Sequence, residues 1–178
     1  MKNKSLIYLL FMILLVPVLA GFIFSNYPGT SAKKVIIHLT TNIKKDDGPP
    51  CVAFDMALTN LKLGNKVEFL FDGEAAWNLK KSKDGKNDFD RYTIPEDLKK
   101  LLFEEFKDRS LMKLKTFGGF LEYLHNKGVK ITVNGTWNVL TSVEKKIKDR
   151  THIPSYVEPL TLKEMAEYIN DSQINYKY

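Results

Sequence analysis

The chain has 178 residues, carries a formal net charge of +6 and is 44% hydrophobic, which is an ordinary composition for a globular protein. Its single cysteine excludes an intramolecular disulfide and a cysteine-based metal site, and its three histidines show no metal-ligand spacing. The lysines are scattered without a nucleic-acid-binding motif, so we interpret them as solvated helix faces, an anionic membrane surface being the alternative partner. We therefore predict no metal, no cofactor and no nucleic-acid partner.

The N-terminal segment is apolar and follows two positively charged residues. Lys2 and Lys4 precede an uncharged stretch of 19 residues from Leu6 to Phe24, close to the roughly 20 residues that span a bilayer as a helix. Two interpretations remain open: a signal peptide that breaks at Pro17 and is cleaved after Ala20, or an uncleaved membrane anchor that uses the whole stretch. Because the positive-inside bias keeps the lysines cytoplasmic, both place the domain on the extracytoplasmic side, membrane-anchored or secreted.

The sequence then divides into two parts, with a signal peptide or membrane anchor plus tether at 1–32 and an α/β domain at 33–178. The domain opens with the apolar run Val35 to Leu39, which predicts a central strand buried on both faces. A helix from about Pro50 to Leu63 follows, because its apolar residues recur at helical spacing and give it one apolar face. Lys66 to Phe71 is the second predicted strand.

The second half of the domain contains further helices and strands. Seven predicted elements follow in chain order: a helix that starts at Thr93 to Glu96, a helix around Phe117 to Leu124, a strand at Val129 to Val133, a helix at about Trp137 to Lys148, a short strand at Tyr156 to Glu158, a helix over Leu162 to Ile169, and a strand at Gln173 to Tyr178. Two helices begin with a capping signature, a hydroxyl residue followed by an acid, at Thr93 to Glu96 and at Thr161 to Glu164.

The glycines between helices and strands indicate the fold class. At Gly64 and at Gly128 an amphipathic helix ends and an apolar strand begins almost at once, which is how α/β units return to their sheet. We predict an α/β fold, a three-layer α/β/α domain with a mostly parallel five-stranded sheet, preceded by an N-terminal apolar helix.

From about residue 34 to 178 the sequence resembles the DsrE/DsrF-like family, which includes small sulfur-relay proteins. The resemblance is carried by hydrophobic patterns and glycines: Val35 to Leu39 with Thr41-Asn42, the helix ending in Gly64, Val67 to Gly73, Phe120 to Val133, and the closing helix Leu162 to Ile169 with the terminal strand. It implies a five-stranded, mostly parallel sheet and frequent homo- or hetero-oligomers. A homo-oligomer or a protein partner is therefore expected.

The chain departs from this family at the residue that carries the sulfur. Sulfur-carrying members place a reactive cysteine directly after the third strand, where this sequence has Asn134 followed by Gly135. An asparagine amide cannot replace a thiolate, so the usual persulfide transfer is not expected. Cys51 could substitute, because a helix N-terminus lowers the pKa of a thiol. Alternatively, Cys51 shares a helical stripe with Phe54 and Leu58 and is a small core residue.

Polar and aromatic residues that follow the strand ends are the candidate ligand-binding residues, because the carboxyl ends of parallel strands meet at one edge. These residues are Asn42, Asp72, Asn134, Gly135, Thr136 and Trp137. Trp137 offers a flat apolar wall, and Asn134 and Thr136 offer hydrogen-bond donors and acceptors. Taken on their own, the pairs Asp72-Gly73 and Asn134-Gly135 are better explained as turns.

The sequence thus predicts an exported or membrane-tethered domain with a binding or assembly role at the carboxyl edge of its sheet. The alternative is a thiol-dependent sulfur-transfer or redox protein that uses Cys51 as its catalytic residue. His38, inside a strand, is interpreted as a packed core residue, and His125 as a partner of a helix dipole.

Overall fold

The computed structural model describes residues 31–178, so the predicted N-terminal helix, as signal peptide or anchor, lies outside the described residues. Ala32–Tyr178 is one unit by its internal contacts. In the described part of the chain, no helix combines the length and apolarity needed to cross a membrane.

Five strands form one sheet in the order β4-β3-β2-β1-β5, and every neighbouring pair is parallel. Their bounds are Lys34–Leu39 (β1), Lys66–Phe71 (β2), Lys130–Asn134 (β3), Glu158–Leu160 (β4) and Ile174–Lys177 (β5). The predicted five-stranded parallel sheet is confirmed. Because all strands run the same way, the ends of β1, β2 and β3 lie side by side at one edge, which we call the carboxyl edge.

Six helices accompany the sheet within residues 31–178. They are Gly48–Lys62 (α1), Gly73–Trp77 (α2), Glu96–Phe106 (α3), Phe117–Asn126 (α4), Gly135–Leu140 (α5) and Leu162–Asp171 (α6), with one 3-10 turn at Leu111–Lys113. The predicted capping box at the start of α6 is present, since the Thr161 hydroxyl accepts from the Glu164 backbone N–H and the Glu164 carboxylate accepts from the Thr161 N–H.

Helices cover both faces of the sheet, which makes three layers. The aromatic face packs against α1 and α4, where the Phe54 ring contacts the rings of Phe69, Phe117 and Phe120 at centroid distances of 5.1 to 5.4 Å. The opposite face, which we call the polar face, packs against α6. Its apolar part is small: the buried side chains of Ile36, Leu70 and Leu160 meet half-buried residues of α6. Because successive side chains of a strand point to opposite faces of the sheet, polar residues at alternate positions of a strand lie together on one face.

Two predicted elements differ from the structure in their bounds. The helix predicted from Trp137 to Lys148 ends at Leu140, because the chain reverses through Ser142 at φ +56° and Val143 donates back to the Asn138 carbonyl. The short strand predicted at residues 156–158 lies two residues later, at Glu158–Leu160.

The structure also differs from the sequence-based prediction at the starts of two helices. The sequence did not predict α2, a five-residue helix that Asp72 caps by accepting from the Gly73 backbone N–H. The capping hydroxyl predicted at Thr93 does not cap α3, whose first residue follows Pro95 without any side-chain cap. Thr93 instead forms an isolated antiparallel bridge with Thr116.

Candidate functional site

Three polar side chains from neighbouring strands meet at the carboxyl edge, and we call them the edge cluster: His38, Asp72 and Asn134. Asp72 Oδ2 lies 3.2 Å from His38 Nε2. Asp72 Oδ1 accepts from Asn134 Nδ2 at 2.8 Å and from the Gly73 backbone N–H at 2.7 Å. The cluster joins the ends of β1, β2 and β3, and strand alternation places all three side chains on the polar face.

Asp72 is the ionised centre of this cluster. The hydrogen bond to His38 lowers the pKa of its carboxyl to about 2, against the opposing effect of burial, and the bonds from Asn134 and Gly73 act in the same direction. Its side chain remains 22% exposed, whereas His38 is buried. A carboxylate that is held by three donors and still reaches solvent can accept a further hydrogen bond from a ligand.

Asn134 connects the edge cluster to the aromatic part of the site. Its Nδ2 donates to Asp72, and its Oδ1 accepts from the Trp137 backbone N–H at 3.0 Å, which caps α5. Both ends of the amide are therefore engaged. At the position where the resemblance implies a sulfur carrier, the side chain orients a helix and a carboxylate.

Both tryptophans of the chain lie at this edge. The rings of Trp77 and Trp137 are 6.3 Å apart at their centroids with an interplanar angle of 42°. Trp77 is 38% exposed and ends α2. Trp137 was a predicted binding residue, whereas Trp77 was not predicted, although the cap at Asp72 followed by apolar residues indicates a short helix that ends in that ring.

Asn42 belongs to a second group of residues at the same edge. Its Oδ1 accepts from the Lys44 backbone N–H at 2.9 Å and from Asn78 Nδ2 at 2.8 Å. It lines a cavity of about 310 Å³, which we call the lysine pocket. The residues that line this pocket are Asn42, Lys44, Trp77, Lys80, Lys81, Ser82 and Asp88. Trp77 lines the pocket and contacts Trp137, so it connects the pocket to the edge cluster.

The remaining two candidate ligand-binding residues have different surroundings. A Cβ atom at Gly135 would lie 2.3 Å from the Ile147 carbonyl oxygen and 3.0 Å from that of Leu160. Glycine is therefore required there for close packing of the backbone. Thr136 is half-buried, and its hydroxyl forms no hydrogen bond with residues 31–178.

Cys51 lies in the first turn of α1 and is half-buried. Burial, followed by the nearby carboxylates of Asp47 and Asp55, raises the pKa of its thiol to about 11. These effects outweigh the lowering expected from the helix N-terminus, so the thiol is neutral near pH 7.

No cluster of three or more histidine, cysteine or acidic side chains suited to a metal ion is found within the described range. The polar groups of the edge cluster and the lysine pocket include two carboxylates, two amides, an imidazole and three lysines, a set suited to hydrogen bonding with a polar ligand.

No protein-family model and no curated protein matches the chain. Among solved structures, the chain is similar to the crystal structure of the ychN protein from E. coli. The two share 13% sequence identity with a TM-score of 0.49, and the match covers 83% of this chain and 99% of that one. The α/β assignment rests on the sheet order and the strand directions described above.

Proposed function

We propose that this chain is an exported or membrane-tethered DsrE-like domain that binds a small ligand at the carboxyl edge of its sheet and does not carry a persulfide. The observation that supports the proposal most is the edge cluster, in which three strands bring an imidazole, a carboxylate and an amide together, and whose Asn134 caps the helix that carries Trp137. Ligands of open parallel sheets bind at this edge.

The chemistry of the edge cluster favours binding over covalent catalysis. Asp72 is an ionised acceptor, and its contact with His38 Nε2 fixes the orientation of the imidazole, leaving Nδ1 as the second polar atom of that ring. The Thr40 hydroxyl, two residues after His38, donates to the Tyr178 carbonyl at 2.8 Å, and the Thr136 hydroxyl, two residues after Asn134, forms no hydrogen bond with residues 31–178. Neither hydroxyl is bonded to a base, as an activated nucleophile must be.

The two tryptophans allow a direct test, because both lie at the proposed site. The full chain labelled with 5-fluorotryptophan gives two fluorine NMR signals, which are recorded against a library of neutral, cationic and anionic fragments. We expect bound fragments to shift one or both signals, and Asp72→Asn to weaken that binding about tenfold or more. Asp97→Asn, at a carboxylate that is almost fully exposed on α3, is the matched control.

Two results would contradict the proposal. The first is that fragments bind the folded chain and shift neither tryptophan signal. The other is equal affinities in the Asp72→Asn and Asp97→Asn variants while both keep the dispersed spectrum of a folded domain.

The alternative, sulfur transfer or redox chemistry at Cys51, needs a thiolate near neutral pH. The raised pKa of about 11 disfavours it. Alkylation of the folded chain followed by intact mass should therefore be slow at neutral pH and accelerate only toward strongly alkaline pH. A fast reaction with a midpoint below about 8.5, the value of an unperturbed thiol, would favour the alternative.

The proposal has two further parts. The first is export or membrane tethering of the domain, and the second is its association with a second copy or another protein. The first is supported by the uncharged stretch from Leu6 to Phe24 behind two lysines. The second is supported by the family resemblance and by the exposed apolar side chains of Val52 on α1 and Leu101 on α3. Membrane fractionation with protease protection tests the first, and sedimentation of the full chain tests the second.

A further inference from the structure

The residues that line the lysine pocket are rich in hydrogen-bond donors. They include three lysines, Ser82 and Asn42, against a single carboxylate residue, Asp88. That carboxylate is already used, since Asp88 Oδ1 lies 2.7 Å from Lys44 Nζ and Asp88 Oδ2 accepts from Asn78 Nδ2 at 3.1 Å. The pocket therefore has donors to offer and no free carboxylate facing them.

Asn42 supplies the most specific of these donors. It is only 8% exposed, and its Oδ1 accepts from two donors, the Lys44 backbone N–H and Asn78 Nδ2. These two bonds fix which end of the amide is oxygen, so the nitrogen takes the other position. Among residues 31–178 no acceptor contacts Asn42 Nδ2. Because this nitrogen is not enclosed by protein, it can donate to a ligand or to water in the cavity.

Two of the three lysines also have no partner within the described residues. Lys44 is paired with Asp88, whereas Lys80 and Lys81 form no ion pair with a carboxylate of residues 31–178. Both belong to the segment after α2 and line the pocket. Two positive charges without an ion pair, beside the Asn42 amide donor, favour a negatively charged ligand.

Trp77 gives the pocket an apolar side. It lines the cavity, is 38% exposed, and its ring centroid lies 6.3 Å from that of Trp137. A planar ring of a ligand can stack on such a surface. The volume of about 310 Å³ is at the lower end of the range for small-molecule sites, which excludes large ligands.

We propose that the lysine pocket binds a small molecule that carries an oxyanion, of the phosphate or sulfate kind, next to a planar ring. The oxyanion accepts from Asn42 Nδ2, Lys80 and Lys81, and the ring lies against Trp77. This inference rests on the proposed function, because it names the ligand class of the same edge.

The test is calorimetric titration of the full chain with phenyl phosphate, inorganic phosphate and phenol. We expect phenyl phosphate to bind most tightly, inorganic phosphate more weakly and phenol not at all. The Lys80→Ala/Lys81→Ala variant should lose about tenfold or more in affinity for phenyl phosphate. The matched control is Lys145→Ala/Lys146→Ala, a pair of adjacent exposed lysines outside the pocket whose replacement removes the same charge. Trp77→Leu should bring phenyl phosphate down to the affinity of inorganic phosphate.

Two results overturn the inference. They are the absence of saturable binding of phenyl phosphate to the native chain, and an equal loss in the two double-lysine variants, which would indicate a general charge effect. The proposed function is distinguished by the fluorine experiment. If neutral fragments shift the tryptophan signals while phenyl phosphate does not bind, the carboxyl edge remains a ligand site and only the oxyanion assignment fails.

Discussion

The two faces of the sheet are built from opposite kinds of side chain. On the aromatic face, phenylalanine rings from α1, α4 and β2 contact one another, and Phe69 stacks on Phe71 at 4.7 Å. On the polar face, α6 has no fully buried residue, and the strands present Glu68, Thr132 and the edge cluster. Burial of apolar surface is the main source of stability, so stability is concentrated on one face and the candidate chemistry on the other.

Two aspartates show the same contrast. Asp55 on α1 has a buried carboxylate oxygen with no hydrogen-bond partner in the described range, and burial, assisted by the charge of Glu105, raises its pKa to about 7. Asp72 has three donors, and its pKa falls to about 2. A polar face that satisfies its carboxylate can keep a charge at the site, whereas the helix that covers the aromatic face disfavours one.

The largest expected effect tests the difference in stability between the faces. Phe54→Ala removes the ring that contacts four others and should lower the free energy of unfolding by about 3–5 kcal/mol. Met165→Ala on α6, at a half-buried residue, should cost only about 1 kcal/mol. Urea unfolding of both variants measures the two values. Equal losses would show that the two faces contribute alike.

A second variant tests whether glycine is required for packing at position 135, directly after β3. Gly135→Ala places a Cβ atom 2.3 Å from the Ile147 carbonyl oxygen, which is backbone and cannot move aside easily. We expect a loss of about 1–3 kcal/mol in the free energy of unfolding. Gly85→Ala serves as a control, because its Cβ would meet open space and only the strain of its positive φ remains. A neutral Gly135→Ala would leave ligand contact as the better explanation of this glycine.

The fold was predictable because hydrophobic period and glycine position are local signals. The run at residues 35–39 predicted β1, and the helix-glycine-strand units at Gly64 and Gly128 predicted parallel strands in a covered sheet, as observed. The end of α5 was not predictable from the apolar residues that follow it. Ile147 continues the helical spacing in sequence, but it packs against Gly135, a contact between distant parts of the chain.

The site was predictable in its position and only partly in its members. The predicted ends of the strands indicated Asp72 and Asn134 as site residues, and these two side chains do meet at the carboxyl edge. His38 was interpreted as a core residue, since a sequence does not reveal which face of a strand carries a polar partner. Its contact with Asp72 depends on strand register. Asn42 was predicted for the same edge, and it lies there in the lysine pocket, outside the edge cluster.

A third prediction concerns the unsatisfied carboxyl of α1. Because the folded protein holds the Asp55 proton more tightly than the unfolded chain, stability is lost as the pH rises from about 4 through about 7. Asp55→Asn should therefore raise the free energy of unfolding by about 1 kcal/mol at mildly alkaline pH and leave it unchanged near pH 4. Glu105→Gln should give a smaller gain in the same direction. Urea unfolding at both pH values measures this, and a gain that is equal at both pH values would assign the effect to something other than titration.

The smallest expected effect concerns Asp72 and has the opposite sign. Its lowered pKa means that the folded state favours the ionised form, so this stability is present above about pH 4 and is lost as the pH falls through about 2. The contribution is about 1 kcal/mol, below the full linkage value because the carboxylate is partly exposed. Asp72→Asn should remove it, and the difference between native and variant unfolding curves should shrink toward acid pH. Other carboxylates titrate in both proteins and cancel in that difference. A difference that stays constant down to about pH 2 would mean that His38 and Asn134 do not hold an ionised carboxylate, and the polar face would then lack the charge on which ligand binding at this edge depends.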